Sequence, residues 1–203
     1  MTRRAILLDR DGTICEEVGY LDALERLQLL PNSALAISSA GEAGFQSVLV
    51  TNQAGVARGR LEESLVGEAH DRLRALLAER GARLDGIYYC PHHPAAEVAR
   101  YRLDCECRKP RPGMLLRARD EMGIDLAASY VIGDRFRDLE AGARVGATPI
   151  LVLTGHGRDE LQYHAAEAAT RPEHVAEDLL IAVRWILERE GRLAASGLET
   201  VDR

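Results

Sequence analysis

The sequence predicts an α/β fold, a Rossmann-like parallel sheet with helices on both faces, and three observations carry that expectation. Short apolar runs end abruptly in polar, reactive residues: Ala5-Ile6-Leu7-Leu8 runs into Asp9-Arg10-Asp11-Gly12-Thr13, Ser47-Val48-Leu49-Val50 into Thr51-Asn52-Gln53, and Tyr130-Val131-Ile132 into Gly133-Asp134. Between these runs the apolar spacing changes to threes and fours, the period of helices laid against a sheet. The length of 203 residues, 46% hydrophobic, suits one good-sized core. A single domain is expected over residues 1–190, followed by a mobile tail over 191–203 with little apolar material.

Taken in order, the first strand is the most informative. Residues i and i+2 of an extended segment point the same way, so Asp9 and Asp11 converge on one ligand while Gly12 lets the chain turn away. Converging carboxylates suit a divalent metal, a nucleophile, or both, although such a run alone also occurs as a polar turn. A helix follows from Asn32 to Ala43, then the Ser47–Val50 strand. Leu61, Leu65, Ala69, Leu73 and Leu76-Leu77 form one helical stripe, with Glu62, Glu63, Asp71, Arg72 and Glu79 on other faces and Gly81 as a stop. One further strand and an irregular loop fill the interval to Lys109. Helices are expected from Pro112 to Met122 and Asp138 to Val145, a buried strand at Pro149-Ile150-Leu151-Val152-Leu153, and a last helix from Leu179 to Arg189 capped by Asp178. Trp185 belongs in the core or on its rim. Neither interval, Asp9 to Thr51 nor Thr51 to Lys109, has room for an inserted cap domain, so the site should be capless and roofed by loops.

The formal net charge of -6 offers no general basic footprint for a nucleic acid. A local cluster, Arg100, Arg102, Arg108, Lys109 and Arg111, instead provides a field that attracts a phosphorylated small molecule. No run is long enough to cross a bilayer and no opening stretch resembles a signal peptide. A cytoplasmic monomer with no membrane or nucleic-acid partner is the expectation.

The four cysteines divide unevenly. Cys15 lies just past the first carboxylate pair and reads as a small buried or loop residue. Cys90, Cys105 and Cys107 cluster with His92 and His93 as Cys-x-His and Cys-x-Cys, twelve residues apart. Three thiolates and an imidazole make a closed, soft, tetrahedral set that suits structural zinc over about residues 90–107. A disulfide is the competing reading. It is disfavoured because nothing marks the chain for export and Cys105 and Cys107 lie too close to bridge easily. The tight Cys-x-His spacing selects His92 over His93 as the ligand.

In an open parallel sheet, ligands sit outside the carboxyl ends of the strands, so Asp9 and Asp11, Thr51, Lys109 and Asp134 would gather at one edge. This ordered set resembles the haloacid dehalogenase superfamily of phosphatases over about Arg4 to Thr154. The Cys-x-His and Cys-x-Cys loop leading straight into Arg108-Lys109-Pro110 resembles, within it, the D-glycero-D-manno-heptose 1,7-bisphosphate phosphatases and their histidinol-phosphate phosphatase relatives. The resemblance implies Asp9 as nucleophile and Asp11 as acid/base, Thr51 and Asn52 as the phosphate-binding second motif, and Arg108 and Lys109 as the third. It implies magnesium between Asp9, the Asp11 backbone carbonyl and Asp134. It further implies that Glu17-Val18-Gly19-Tyr20 touches the sugar, that Gln53-Ala54 continues the wall, and that Arg135 supplies positive charge where a lysine is usual. Cys15 stands where an asparagine is usual.

The expected reaction is removal of the C7 phosphate of heptose 1,7-bisphosphate through an aspartyl-phosphate, giving heptose 1-phosphate for nucleotide-activated heptose biosynthesis. Histidinol phosphate is the nearest rival substrate. A polynucleotide 3'-phosphatase is a further alternative, because an open site admits bulky esters, but the chain has no aromatic stacking platform. A non-catalytic zinc-binding module is compatible with the cysteines alone and is opposed by the intact set of converging charges.

Overall fold

The structure, a computed structural model, describes residues 3–193 and Leu198. The elements run β1 (Ala5–Leu8), α1 (Ser33–Glu42), β2 (Gln46–Asn52), α2 (Ala54–Ala57), α3 (Glu63–Ala78), β3 (Gly86–Cys90), α4 (Gly113–Met122), β4 (Tyr130–Gly133), α5 (Phe136–Ala143), β5 (Thr148–Val152), α6 (Gly157–Asp159), β6 (His174–Ala176) and α7 (Leu179–Arg189). A turn of π-helix, Glu160–His164, continues α6. The strands form one sheet in the order β3-β2-β1-β4-β5-β6, and every neighbouring pair is parallel. Successive strands step outward from β1 to one side and then to the other, so strand order reverses at β1 and opens a crevice at its carboxyl end.

Side-chain alternation along β1 explains why helices cover both faces. Ile6 and Leu8 enter a core with Ala36 and Ile37 of α1, Leu73 and Leu77 of α3, and Val183 and Ile186 of α7. Ala5 and Leu7 enter the opposite core with Met114 and Leu115 of α4 and Ala141 of α5. All four β1 residues are at most 1% exposed, and full burial of such side chains stabilises by about 1.5–3 kcal/mol each for the larger ones.

Most elements fall where apolar spacing placed them, and α7 matches end for end, with the Asp178 carboxylate accepting from the Ile181 N–H at 2.9 Å. Strand β2 runs further than its apolar stretch, so Thr51 and Asn52 are strand residues. Helix α5 begins at Phe136 instead of Asp138, because Asp138 reaches back to accept the Arg135 N–H at 3.1 Å. Strand β6 and the α6 turn carry too few apolar residues to show a period. Trp185 is partly buried on the rim of the core and stacks on His174 with ring centroids 4.6 Å apart. The segment between β1 and α1 holds only a short 3-10 turn, Leu24–Arg26, so loops roof the crevice. Of the expected mobile tail, Arg192 donates to the Ala43 carbonyl at 2.6 Å, and Leu193 and Leu198 pack on the core. Residues 194–197 and 199–203 lie outside the described residues. Among the described residues no helix is long and apolar enough to cross a membrane.

Candidate active site

Asp9 leaves β1 with its N–H donating to the Ile132 carbonyl of β4 at 3.1 Å, which fixes the carboxylate at the crevice floor. The ammonium of Lys109 completes that floor. Its Nζ lies 3.0 Å from Asp9 Oδ1 and 2.7 Å from Asp138 Oδ1, and it donates to the Val50 carbonyl at 2.7 Å. Lys109 thus has one hydrogen bond and two ion pairs although only 2% exposed. Burial pushes its pKa down, but Asp138 and Asp9 outweigh burial and hold it above the usual lysine range. Conversely, burial pushes the Asp9 carboxyl up, while Lys109, the Arg10 backbone N–H and Arg137 more than reverse this and hold it low. Asp9 is therefore an ionised, oriented carboxylate of the kind that can act as a nucleophile.

Asn52 braces this arrangement from β2. Its amide donates to the Lys109 carbonyl and accepts from the Lys109 N–H, both at 3.1 Å, so it anchors Lys109 while also lining the cleft. Asp11 is held differently. Arg10 Nε and Nη2 donate to its two oxygens at 2.9 Å each, and Gln53 Nε2 donates to Oδ2 at 3.0 Å. Gln53 also bonds Thr51 Oγ1 and Arg10 Nη2, both at 3.0 Å, linking the acid/base candidate to Thr51.

Asp134 at the end of β4 is buried, and its Oδ2 accepts the His156 N–H at 2.8 Å. Burial, Asp138 and Asp9 push its carboxyl up to about 8. Two glycines permit this close packing. A Cβ on Gly12, whose φ is +76°, would stand 2.2 Å from Asp134 Oδ2, and one on Gly155 would stand 2.4 Å from the same atom. Carboxylate oxygens of Asp9, Asp134 and Asp138 all lie within 4.8 Å of one another. Three buried carboxylates at such spacing, served by one lysine, make an oxygen donor set that a hard divalent cation compensates.

A cleft of about 420 Å³ opens above this floor. Asp9, Asp11, Asn52, Gln53, Asp134 and Arg108 line it, with Ala54, Gly19, Tyr20 and Glu17 along the roof and wall. Glu17 accepts the Gly19 N–H at 2.6 Å and lies 3.4 Å from His156 Nε2. Thr51 and Lys109 sit beneath the cleft surface, 1% and 2% exposed. The Val18 side chain packs on the core instead, and its carbonyl accepts from Arg26 at 3.0 Å. Arg135 lines the cleft but pairs with Glu160 at 3.5 Å. Cys15 is fully buried, its thiol pushed up to about 12 by burial and then by Asp11, which leaves it no thiolate chemistry near neutral pH.

Beside the cleft, Cys90, His92, Cys105 and Cys107 bring one ligand atom each within 4.8 Å of the others. Cys107 Sγ lies 3.0 Å from Cys90 Sγ, 3.1 Å from Cys105 Sγ and 3.4 Å from His92 Nδ1, and all these cysteines are free. The hydrogen-bonded Cys90 thiol, outweighing burial, pushes the Cys107 thiol down to about 5. Three sulfurs and an imidazole nitrogen at these separations fit a soft tetrahedral ion. His93 faces away, its Nδ1 accepting the Ala95 N–H at 3.0 Å.

Sequence reasoning missed several residues of this site. Strand alternation would turn Arg10 away from Asp9 and Asp11, yet its guanidinium pairs with Asp11. His156 lies in the loop four residues past the end of β5, beyond the reach of a strand-end rule. Arg58 and Arg137 reach the cleft from helical segments that carry no motif.

The open sheet and the carboxylate-lysine floor define a hydrolase of the haloacid-dehalogenase type, and a HAD-hydrolase-like family model matches residues 106–182. A D-glycero-beta-D-manno-heptose-1,7-bisphosphate 7-phosphatase of Yersinia pestis is 47% identical over 153 residues, covering 74% of this chain and 81% of the relative. One from Photorhabdus laumondii is 45% identical over 184 residues, covering 90% and 96%. The crystal structure of D,D-heptose 1,7-bisphosphate phosphatase from B. bronchiseptica, complexed with magnesium and phosphate, aligns with a TM-score of 0.81 at 34% identity, covering 92% and 99%. The chain belongs to the heptose-1,7-bisphosphate 7-phosphatase family of the haloacid-dehalogenase-type hydrolases.

Proposed function

We propose that the protein is a magnesium-dependent phosphoric monoester hydrolase that removes the C7 phosphate of D-glycero-D-manno-heptose 1,7-bisphosphate. The observation that carries the reading is the convergence of Asp9, Asp11, Lys109 and Asp134 at the carboxyl edge of the sheet, in a chain closely similar to named 7-phosphatases. Asp9 attacks the phosphorus, the sugar oxygen leaves, and an aspartyl-phosphate forms. Asp11 gives its proton to the leaving oxygen and takes one from the water that later cleaves the intermediate. Lys109 neutralises charge beside Asp9, and Thr51, reached through Gln53, offers its hydroxyl to a phosphoryl oxygen. Asp9, the Asp11 carbonyl and Asp134 would hold magnesium, which offsets the repulsion between carboxylate and phosphate.

Zinc on Cys90, His92, Cys105 and Cys107 would close the loop that delivers Arg108 and Lys109. Its role is structural, because four protein ligands leave no open position. The enzyme would act as a cytoplasmic monomer with one catalytic domain over residues 1–190, on a small phosphorylated sugar and not on a nucleic acid. The arginine-rich cleft favours a bisphosphate over histidinol phosphate. The test is magnesium-dependent turnover of both heptose 1,7-bisphosphate anomers beside histidinol phosphate. Faster hydrolysis of a heptose anomer is expected; faster hydrolysis of histidinol phosphate would contradict the sugar assignment.

A further inference from the structure

Three arginines, Arg58, Arg108 and Arg137, line the cleft with no carboxylate of the described residues within ion-pair distance. Among the described residues the side chains of Arg58 and Arg137 make no hydrogen bond and no ion pair, and Arg137 Nε is buried without a partner. Arg108 makes one neutral contact, donating to the His92 carbonyl at 3.2 Å. Arg135, on the same wall, is already engaged by Glu160. Arg58, Arg108 and Arg137 all line the same cleft. Arg137, in the first turn of α5, lines the cleft together with Asp9 and Arg108.

Like charges gathered without a direct ion-pair partner raise the free energy of the empty cleft, and an incoming anion relieves that cost. The transferring phosphate has its own place, against Asp9, Thr51 and Lys109. Guanidiniums grip phosphate oxygens in forks, through several donors at once. We infer that Arg137, with Arg58 and Arg108, forms a cradle for the second phosphate of a bisphosphate substrate, and that Arg137 is a specificity-determining residue. This inference rests on the proposed function for the identity of the substrate, but not for the existence of the cradle. It assigns binding to Arg58 and Arg137, which no sequence motif marks.

The test separates binding from chemistry by using an Asp9→Asn background. Heptose 1,7-bisphosphate and the matching 7-monophosphate are titrated by calorimetry with magnesium present, before and after adding Arg137→Gln. Loss of a charge-assisted contact should weaken bisphosphate binding about tenfold to a hundredfold more than monophosphate binding. Arg137→Lys should recover part of that loss. Arg58→Gln, at an exposed position, carries the same expectation and keeps the test open should Arg137→Gln fail to fold. Equal weakening of both ligands would mean that Arg137 grips the transferring phosphate, and no weakening of either would mean that it binds neither; both results overturn the inference. With Asp9 intact, absence of bisphosphate turnover would remove the proposed function, while selective, Arg137-dependent binding would still uphold the cradle.

Discussion

Asp134 shows most clearly how single residues trade stability for chemistry. Its folded carboxyl keeps a proton up to about pH 8, whereas an unfolded aspartate releases it near 3.8. The folded state therefore binds more protons across that window, and stability falls as pH rises through it. Asp134→Asn removes this penalty. The metal-free variant should melt above the wild type at pH 8, the gap should narrow toward pH 4, and magnesium should no longer stabilise it. A thermal-melt series with and without magnesium checks all of these; a variant melting lower at pH 8 would contradict the repulsion inferred here. Asp9→Asn should abolish turnover with fold intact, and Asp11→Asn should cost about a hundredfold or more through lost proton transfer, both read by steady-state assay beside circular dichroism. Asp9 and Asp11 were visible in the sequence because strand alternation makes an i, i+2 pair converge. Arg10 was not, since its pairing with Asp11 depends on a turn geometry that residue types alone do not specify.

At the scale of elements, the loop from Cys90 to Lys109 matters most. It is irregular, yet it ends on a lysine buried between two carboxylates, and its own ligand set is what can hold it. Protein purified without chelator should contain about one zinc per chain. Cys105→Ala should lose that zinc and much of the activity together, because a released loop misplaces Lys109. Elemental analysis beside turnover measures this; full activity in a zinc-free variant would remove the link. Cysteine spacing makes this loop readable in the sequence itself. The helices were readable for another reason: α1, α3, α4 and α7 each bury one stripe, and a stripe leaves a period. The two-turn α5 was readable only approximately, because its first turn is fixed by Asp138 reaching back to Arg135. The three residues of β6 have no period to read, and their place is set by pairing with β5.

At the scale of the whole molecule, the sheet's two covered faces set the reliability of the site, since β1 carries Asp9 and is buried on both sides. Leu115, fully buried under the β1 face that bears Leu7, tests this. Leu115→Ala should cost about 2–5 kcal/mol in denaturant unfolding while leaving metal content unchanged; a cost under 1 kcal/mol would show a face that collapses easily. The parallel sheet itself followed from short apolar runs that end in reactive residues, each a strand aimed at one edge; the order of its strands did not. The cleft's charge pattern did not follow, because Arg58, Arg137 and His156 are brought there by the fold and not by neighbouring residues in the chain. The central claim, that an open loop-roofed site takes the terminal phosphate of a sugar bisphosphate, is tested most directly by phosphorus NMR of the reaction on heptose 1,7-bisphosphate. The expected spectrum shows loss of the C7 phosphomonoester, growth of inorganic phosphate and an intact anomeric 1-phosphate; loss of the anomeric signal with the C7 ester retained would contradict it.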